Sequence, residues 1–291
     1  MTDYRHTVLT LLDKARRGGY AVGSFSPRYT DLIAPVLAAA QRMRSPALVQ
    51  ISANEFGWFG ITPRQFADEY FRQLAVQGIT VPTVLHLDHT KDEHVIAEAI
   101  EAGFQSVMID ASARPFEENV ALTRRVAEYA HARGVAVEAE LGTIGTTDKL
   151  ETDNDEELFT KPEEAEAFVA RTGVDTLAVS VGTAHGVYKV KQPRVDCERI
   201  GRIAALTDVP LVLHGGSGVP AEMMQRAFGH VCKVNIATDL EQAFLSAIGG
   251  QRMLDAECRA LPAERRAVGL EAVQRVVEDK IQHFVLSANR A

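Results

Sequence analysis

Apolar residues in this chain gather into short runs of strand length, separated by longer stretches in which they recur every three or four positions. The runs are Tyr20–Phe25, Ala47–Ser52, Thr83–Asp88, Ser106–Asp110, Ala136–Leu141, Thr176–Val181, Leu211–His214 and Lys233–Ala237. The stretches between them read as helices; in Asn119–Ala132, for example, Val120, Thr123, Ala127 and Ala130 form one stripe. Pro82 and Pro210 stand just before runs, where a missing amide donor is tolerated. Eight alternations without a composition shift or long linker predict an α/β fold, a (β/α)8 TIM barrel spanning residues 1–291 as a single domain. A doubly wound open sheet is the alternative; strand number decides against it, since eight strands close a barrel.

One stretch breaks the alternation. Thr143–Pro162 is polar and acid-rich, with Asp148, Glu151, Asp153, Asp155, Glu156 and Glu157. A segment of that length after the fifth strand lies at the rim where barrels place their chemistry, and predicts an active-site lid. A solvated acidic loop is the plainer reading.

Composition narrows the picture. A chain of 291 residues with 46% hydrophobic content suits a barrel with a large core. No uninterrupted apolar run of about 18 residues appears, so no spanning helix is expected, and the N-terminal residues lack the apolar segment of a secretory signal. A net charge of −8, with Lys and Arg scattered, argues against a nucleic-acid partner. Cys197, Cys232 and Cys258 have neither paired nor CxxC spacing, as expected in a reducing cytosol. A cytoplasmic protein with a small-molecule substrate is the expectation.

The candidate chemistry lies in three histidines: His89 in Leu-His-Leu-Asp-His (85–89), His185 in Gly-Thr-Ala-His-Gly (182–186) and His214 in Leu-His-Gly-Gly-Ser-Gly (213–218). Each follows an apolar run, so a closed barrel gathers all three at one rim. Any one alone reads more simply as a hydrogen-bonded interior imidazole. Together, three neutral nitrogens with one position open describe a catalytic zinc site. Asp88 adjoins the first, where a cation holds it ionised and ready to exchange a proton with a hydroxyl. Asp110 and Glu140 reach the same rim, as support for the ligands or as an alternative metal position.

The other polar residues divide less sharply. His86 shares the strand face of Asp88 and reads as structural, and Glu138 reads as half of a buried pair with a basic residue. His94 is expected on an exposed helix face, while His6, His131, His230 and His283 have no convergent context. Gly215, Gly216, Ser217 and Gly218, followed by Asn235, Ile236, Ala237 and Thr238, fall after the seventh and eighth strands, where barrel enzymes often hold phosphate on backbone amides. Lys189 adds a point charge nearby.

These residues resemble the class II, zinc-dependent ketose-bisphosphate aldolases, the family of fructose- and tagatose-bisphosphate aldolases. The likeness runs from about Tyr20 to Ile281. It includes Val-Met-Ile-Asp-Ala-Ser (107–112), Pro-Phe-Glu-Glu-Asn-Val (115–120), Val-Glu-Ala-Glu-Leu-Gly (137–142) and Lys-Val-Asn-Ile-Ala-Thr-Asp (233–239). The resemblance implies zinc on His89, His185 and His214, with Asp110 and Glu140 at a secondary metal position. It implies dihydroxyacetone phosphate held by Gly186, Lys189, Gly215, Ser217, Asn235 and Thr238, with a monovalent cation (Na+ or K+) near that phosphate. It also implies a homodimer or homotetramer, and leaves room for a helper subunit.

The departures fall on the aldehyde side. The family's Gly-Gly-x-Glu-Asp lid reads Gly145-Thr-Thr-Asp148-Lys149, so Asp148 stands where a proton-shuttling glutamate is expected, with Glu151 as substitute. Phe-Asn becomes Phe25-Ser26, followed by Pro27 and Arg28, and Ser-Glu-Gly becomes Ser52-Ala53-Asn54. Ala237 matches tagatose-type members, and near the C-terminus an expected basic residue is Glu278, though Lys280 remains. Arg28 is expected either to meet an anion on the aldehyde or to be a plain surface arginine. The implied substrate is a phosphorylated ketose other than fructose 1,6-bisphosphate. A fructose-bisphosphate aldolase proper, another zinc barrel enzyme such as a hydrolase, and a non-catalytic sugar-phosphate-binding paralogue are the competing readings.

Overall fold

The computed structural model describes residues 3–145, 155–186 and 193–291. β1 (Val22–Phe25) follows α1 (Tyr4–Gly18) and leads to α2 (Ile33–Arg42); β2 (Ala47–Ser52) leads to α3 (Ala53–Phe59) and α4 (Pro63–Gln77). Next come β3 (Thr83–Thr90), α5 (Glu93–Ala102), β4 (Ser106–Ile109), α6 (Phe116–His131), β5 (Ala136–Leu141) and α7 (Pro162–Thr172). The circuit continues through β6 (Thr176–Val179), α8 (Cys197–Leu206), β7 (Leu211–Leu213), α9 (Ala221–Gln225), β8 (Val231–Ile236) and α10 (Thr238–Ala247). α11 (Asp255–Arg259) precedes α12 (Ala263–Asp279), which packs against α2 and α10. No helix among the described residues is long and apolar enough to cross a membrane.

All strands pair in parallel, in sequence order, and β1 pairs with β8 to close the barrel. The expected (β/α)8 barrel is therefore present, with shifted strand ends: β3 runs two residues past Asp88, and β8 starts at Val231 rather than Lys233. Pro82 and Pro210 behave as the sequence suggests. Each lacks an N–H but offers its carbonyl, to Ala47 N at 3.2 Å and to Leu177 N at 3.2 Å.

Local sequence explains the elements. In α4, Thr62 and Gln65 cap each other's backbone amides and Pro63 opens the first turn. α6 buries Val120, Thr123, Ala127 and Ala130 as expected, together with Leu122 and Val126.

Period-two alternation sends Val84, His86 and Asp88 inward along β3. At the N-terminal end of the lumen, Val22, Leu48, Val84, Ala136 and Cys232 pack on Val8, Leu11, Leu12 and Ala15 of α1. Met108, Ala178 and Val212 form a further apolar group. The remaining lumen is polar.

Two irregularities shape that polar region. Between Leu87 and Thr90 the β3–β4 register shifts, and His89 takes φ 35°. In a regular strand Asp88 and His89 point to opposite faces; this bulge-like shift lets both serve one site. In β8, Val231 pairs with Leu211 but Lys233 with Val212. The extra residue allows Cys232 to join the apolar end while Lys233 reaches Glu138.

Candidate active site

His89, His185 and His214 converge as the barrel requires, offering ligand atoms within 4.8 Å of one another. The rings meet edge to face, with centroids 4.5 Å apart for His89–His214 and 4.7 Å for His89–His185. His89 Nε2 and His214 Nδ1 stand 2.8 Å apart. Behind them, His89 Nδ1 faces Asp110 Oδ2 at 3.2 Å and His214 Nε2 faces Glu138 Oε1 at 3.0 Å. His185 Nε2 and Glu140 Oε2 are buried without a hydrogen-bond partner among the described residues. Orphan atoms of this kind, beside two imidazoles backed by carboxylates, fit a divalent cation. His89, Asp110 and Glu140 form a second group with metal-ligand spacing.

The electrostatics follow from burial. Desolvation disfavours a charged His89 ring, but the carboxylates of Asp88, Asp110 and Glu140 outweigh it, and its pKa is pushed up to about 10. Burial holds His185 and His214 neutral, well below the usual imidazole range. Burial raises Glu140 to about 8, with His89 opposing and Asp110 adding to the rise. Burial is the largest influence on Asp110 and disfavours its carboxylate, but the bond and charge of His89 and the Ser112 donors together outweigh it and hold its pKa well below the usual carboxylate range.

Asp88 sits against this group. Asn235 Nδ2 donates to Asp88 Oδ1 at 3.0 Å and Gln50 Nε2 to Asp88 Oδ2 at 3.0 Å. Gln50 also donates to Ser26 Oγ at 2.9 Å and accepts from Ser24 Oγ. Burial raises the Asp88 pKa, opposed by His89 and Lys233. A base fixed from two sides and easily protonated is suited to exchanging a proton with a substrate hydroxyl.

The glycine turn lies beside the metal group. Gly215 has φ 67°, and a Cβ there would sit 2.3 Å from Ala184 O; one on Gly216 would meet Val234 Cγ1 at 2.6 Å. Side chains are thus excluded where the turn meets the His185 loop. The Gly216 amide is already used, donating to Asn235 O at 3.0 Å, and Ile236 O accepts from Ser26 N at 3.0 Å. Ser217 Oγ accepts from Asp239 N at 3.3 Å, which sets the turn against the N-terminus of α10 at Thr238, with Ala237 as its cap. Helix amides and dipole there favour an anion. Gly186 is in the left-handed region at φ 110°. Asp148, Glu151 and Lys189 lie outside the described residues, as does the middle of the expected lid.

Three residues of the acceptor side, Arg28, Ser52 and Lys280, have partners within the chain. Arg28 is not a surface arginine: its side chain is 12% exposed, its φ is 66°, and it pairs with Glu55 at 2.9 Å and with Glu241. Its partners here are the carboxylates of Glu55 and Glu241. The Ser52 N–H donates to Glu55 Oε2 at 2.9 Å at the start of α3. Lys280 Nζ sits 2.6 Å from Asp239 Oδ2 of the same chain. His131, which showed no context in sequence, bonds Asp175 Oδ2 at 2.8 Å at the opposite end of the barrel, where Arg5 also pairs with Asp175 at 2.5 Å.

Gln50 and Asn119 also support the site. Gln50 is the one polar residue within Ala-Leu-Val-Gln-Ile, and that interruption is the signal. Asn119 Nδ2 donates to Glu140 O at 3.1 Å and so holds the end of β5.

The family profile described as "Fructose-bisphosphate aldolase class-II" matches residues 6–290. The chain belongs to this family. It is an aldolase, a lyase of carbon–carbon bonds. A fructose-bisphosphate aldolase of Geobacillus stearothermophilus is 38% identical over 284 residues, 97% of each chain. A sulfofructosephosphate aldolase of Alkalicoccus urumqiensis is 38% identical over 277 residues, 94% of each chain. Among solved structures, the YdjI aldolase from Escherichia coli K12 superposes with a TM-score of 0.82 at 30% identity, covering 98% of each chain. Family membership accounts for the barrel.

Proposed function

We propose that this aldolase is zinc-dependent and cleaves a ketose 1-phosphate or 1,6-bisphosphate, other than fructose 1,6-bisphosphate, to dihydroxyacetone phosphate and an aldehyde. The observation that carries the reading is the Asp88 carboxylate, fixed by Asn235 and Gln50 and adjacent in sequence to His89. His89, His185 and His214 would hold the zinc, which supplies Lewis-acid polarisation of the ketone carbonyl. Asp88 takes the proton from the C4 hydroxyl; the C3–C4 bond breaks, the aldehyde leaves, and the electron pair stays with the dihydroxyacetone phosphate half. Asp148, or Glu151 in its place, then returns a proton to C3. The turn Gly215–Gly216–Ser217, with Gly186, Lys189, Asn235, Ile236, Ala237 and Thr238, would hold the phosphate, and a monovalent cation there would balance its charge.

Support for an unusual aldehyde comes from the rim near β1 and β2, where Arg28 is paired with Glu55 and Glu241. Overall likeness does not choose the aldehyde, because relatives named for two different substrates stand at the same 38% identity. A homodimer or homotetramer is part of the proposal. The test is release of dihydroxyacetone phosphate from a panel of ketose phosphates. The reading predicts chelator-sensitive cleavage with a higher kcat/KM for another member than for fructose 1,6-bisphosphate. Highest kcat/KM with fructose 1,6-bisphosphate contradicts the substrate, and no release from any member contradicts the reaction.

A further inference from the structure

The middle of a TIM-barrel lumen is ordinarily filled by branched aliphatic side chains. Here it holds a buried ion pair. Lys233 Nζ lies 3.0 Å from both Glu138 oxygens, and both side chains are almost fully buried. Removing two charges from water costs more than an apolar pair of similar volume, so packing alone gives no reason for them.

The neighbours of Glu138 supply one. A carboxylate without a proton can only accept hydrogen bonds. The Lys233 ammonium, together with Thr176 Oγ1 at 3.3 Å, keeps Glu138 in that form. His214 Nε2, 3.0 Å from Oε1, must therefore carry the ring proton. His214 Nδ1 is left with its lone pair facing His89 Nε2 at 2.8 Å. The adjoining histidine obeys the same logic: Lys233 Nζ donates to His86 Nε2 at 3.5 Å, and His86 Nδ1 then donates to Ser106 Oγ at 2.9 Å.

We propose that Glu138, neutralised by Lys233, is a positioning residue that fixes the tautomer and orientation of His214 so that Nδ1 is presented to the metal. This inference rests on the reading of His89, His185 and His214 as metal ligands. It gives a buried ion pair 95 residues apart in sequence a role in metal affinity. His89 is held the same way, with Asp110 behind Nδ1 and Nε2 turned to the site. Orienting partners of this kind typically change metal affinity by about 10- to 100-fold.

Two double variants separate positioning from packing. Glu138→Gln with Lys233→Met keeps an acceptor for His214 Nε2–H and leaves no unpaired charge. Glu138→Met with Lys233→Met keeps the volume and removes the acceptor. Zinc affinity is measured by competition with a chromophoric chelator, alongside thermal midpoints. The amide pair should stay within about threefold of wild type and the apolar pair should lose about 10- to 100-fold. Equal zinc affinities for the two, with both folded, would overturn the proposal. Should the apolar pair not fold, long-range 1H–15N spectra of zinc-loaded wild type decide: a proton on His214 Nε2 is expected, and one on Nδ1 overturns it. If wild type binds no stoichiometric zinc, the metal reading itself falls, and this inference with it.

Discussion

Val22, Leu48, Val84 and Ala136 close the N-terminal end of the lumen against α1; two residues further along the same strands stand Ser24, Gln50, His86 and Glu138. One pleat repeat, about 7 Å of strand, separates a layer that packs from a layer that is charged and hydrogen-bonded. The lower layer needs only volume and apolarity. The upper one needs named partners: Gln50 for Asp88, Lys233 for Glu138, Glu138 for His214. Stability and chemistry are thus built into different turns of the same pleat, and they should respond to different substitutions.

The largest expected effect falls on the upper layer. Asp88→Ala should lower kcat by about 10²- to 10⁴-fold, with zinc content little changed. Unaltered turnover would remove Asp88 from the chemistry. At the lower end, Leu12→Ala empties a fully buried position and should cost about 2–5 kcal/mol of stability, read by denaturant titration. Its kcat per folded molecule should not move; a matching loss of kcat would show that the two ends are coupled, and the contrast would fail.

The charge of the upper layer predicts an unusual pH response. His89 is raised to about 10 and Glu140 to about 8. From neutral pH upward, metal-free native protein therefore binds more protons than the unfolded chain, and its stability should fall as pH rises. The His89 contribution is complete below about 6.5, the unfolded imidazole value, and is lost as pH climbs through its folded value. Zinc replaces that proton, so the slope should flatten in loaded protein. Thermal midpoints measured from neutral to alkaline pH, with chelator and with zinc, check the sign; a metal-free protein that gains stability toward alkaline pH contradicts it. Smaller still, Asp175→Ala at the lower end leaves Val137 N, now bonded at 2.8 Å, without its acceptor. It should cost about 1–3 kcal/mol and leave zinc affinity unchanged, as measured by chelator competition.

Much of this was readable from the chain. Alternating apolar runs mark every strand, and Asp88, His89, His185 and His214 follow from their places at strand ends. What escaped has one physical character: it depends on pairs far apart in sequence. Arg28 meets Glu241, His131 meets Asp175 and His214 meets Glu138, with no local pattern to announce any of them. The positive φ at His89 is hidden for a related reason, since the register shift belongs to the β3–β4 pair and not to β3 alone. Glu138 illustrates both sides. Period two places it inward and predicts a basic partner, and Lys233 is that partner; its second contact, to His214, required the closed barrel.

The central claim is that one divalent cation is held by three imidazoles from β3 and from the segments after β6 and β7, within reach of Asp88. Anomalous diffraction at the zinc absorption edge, from crystals grown with zinc, tests it most directly. A single peak bounded by His89, His185 and His214 is predicted. No peak there, or one held by other residues, would contradict the account.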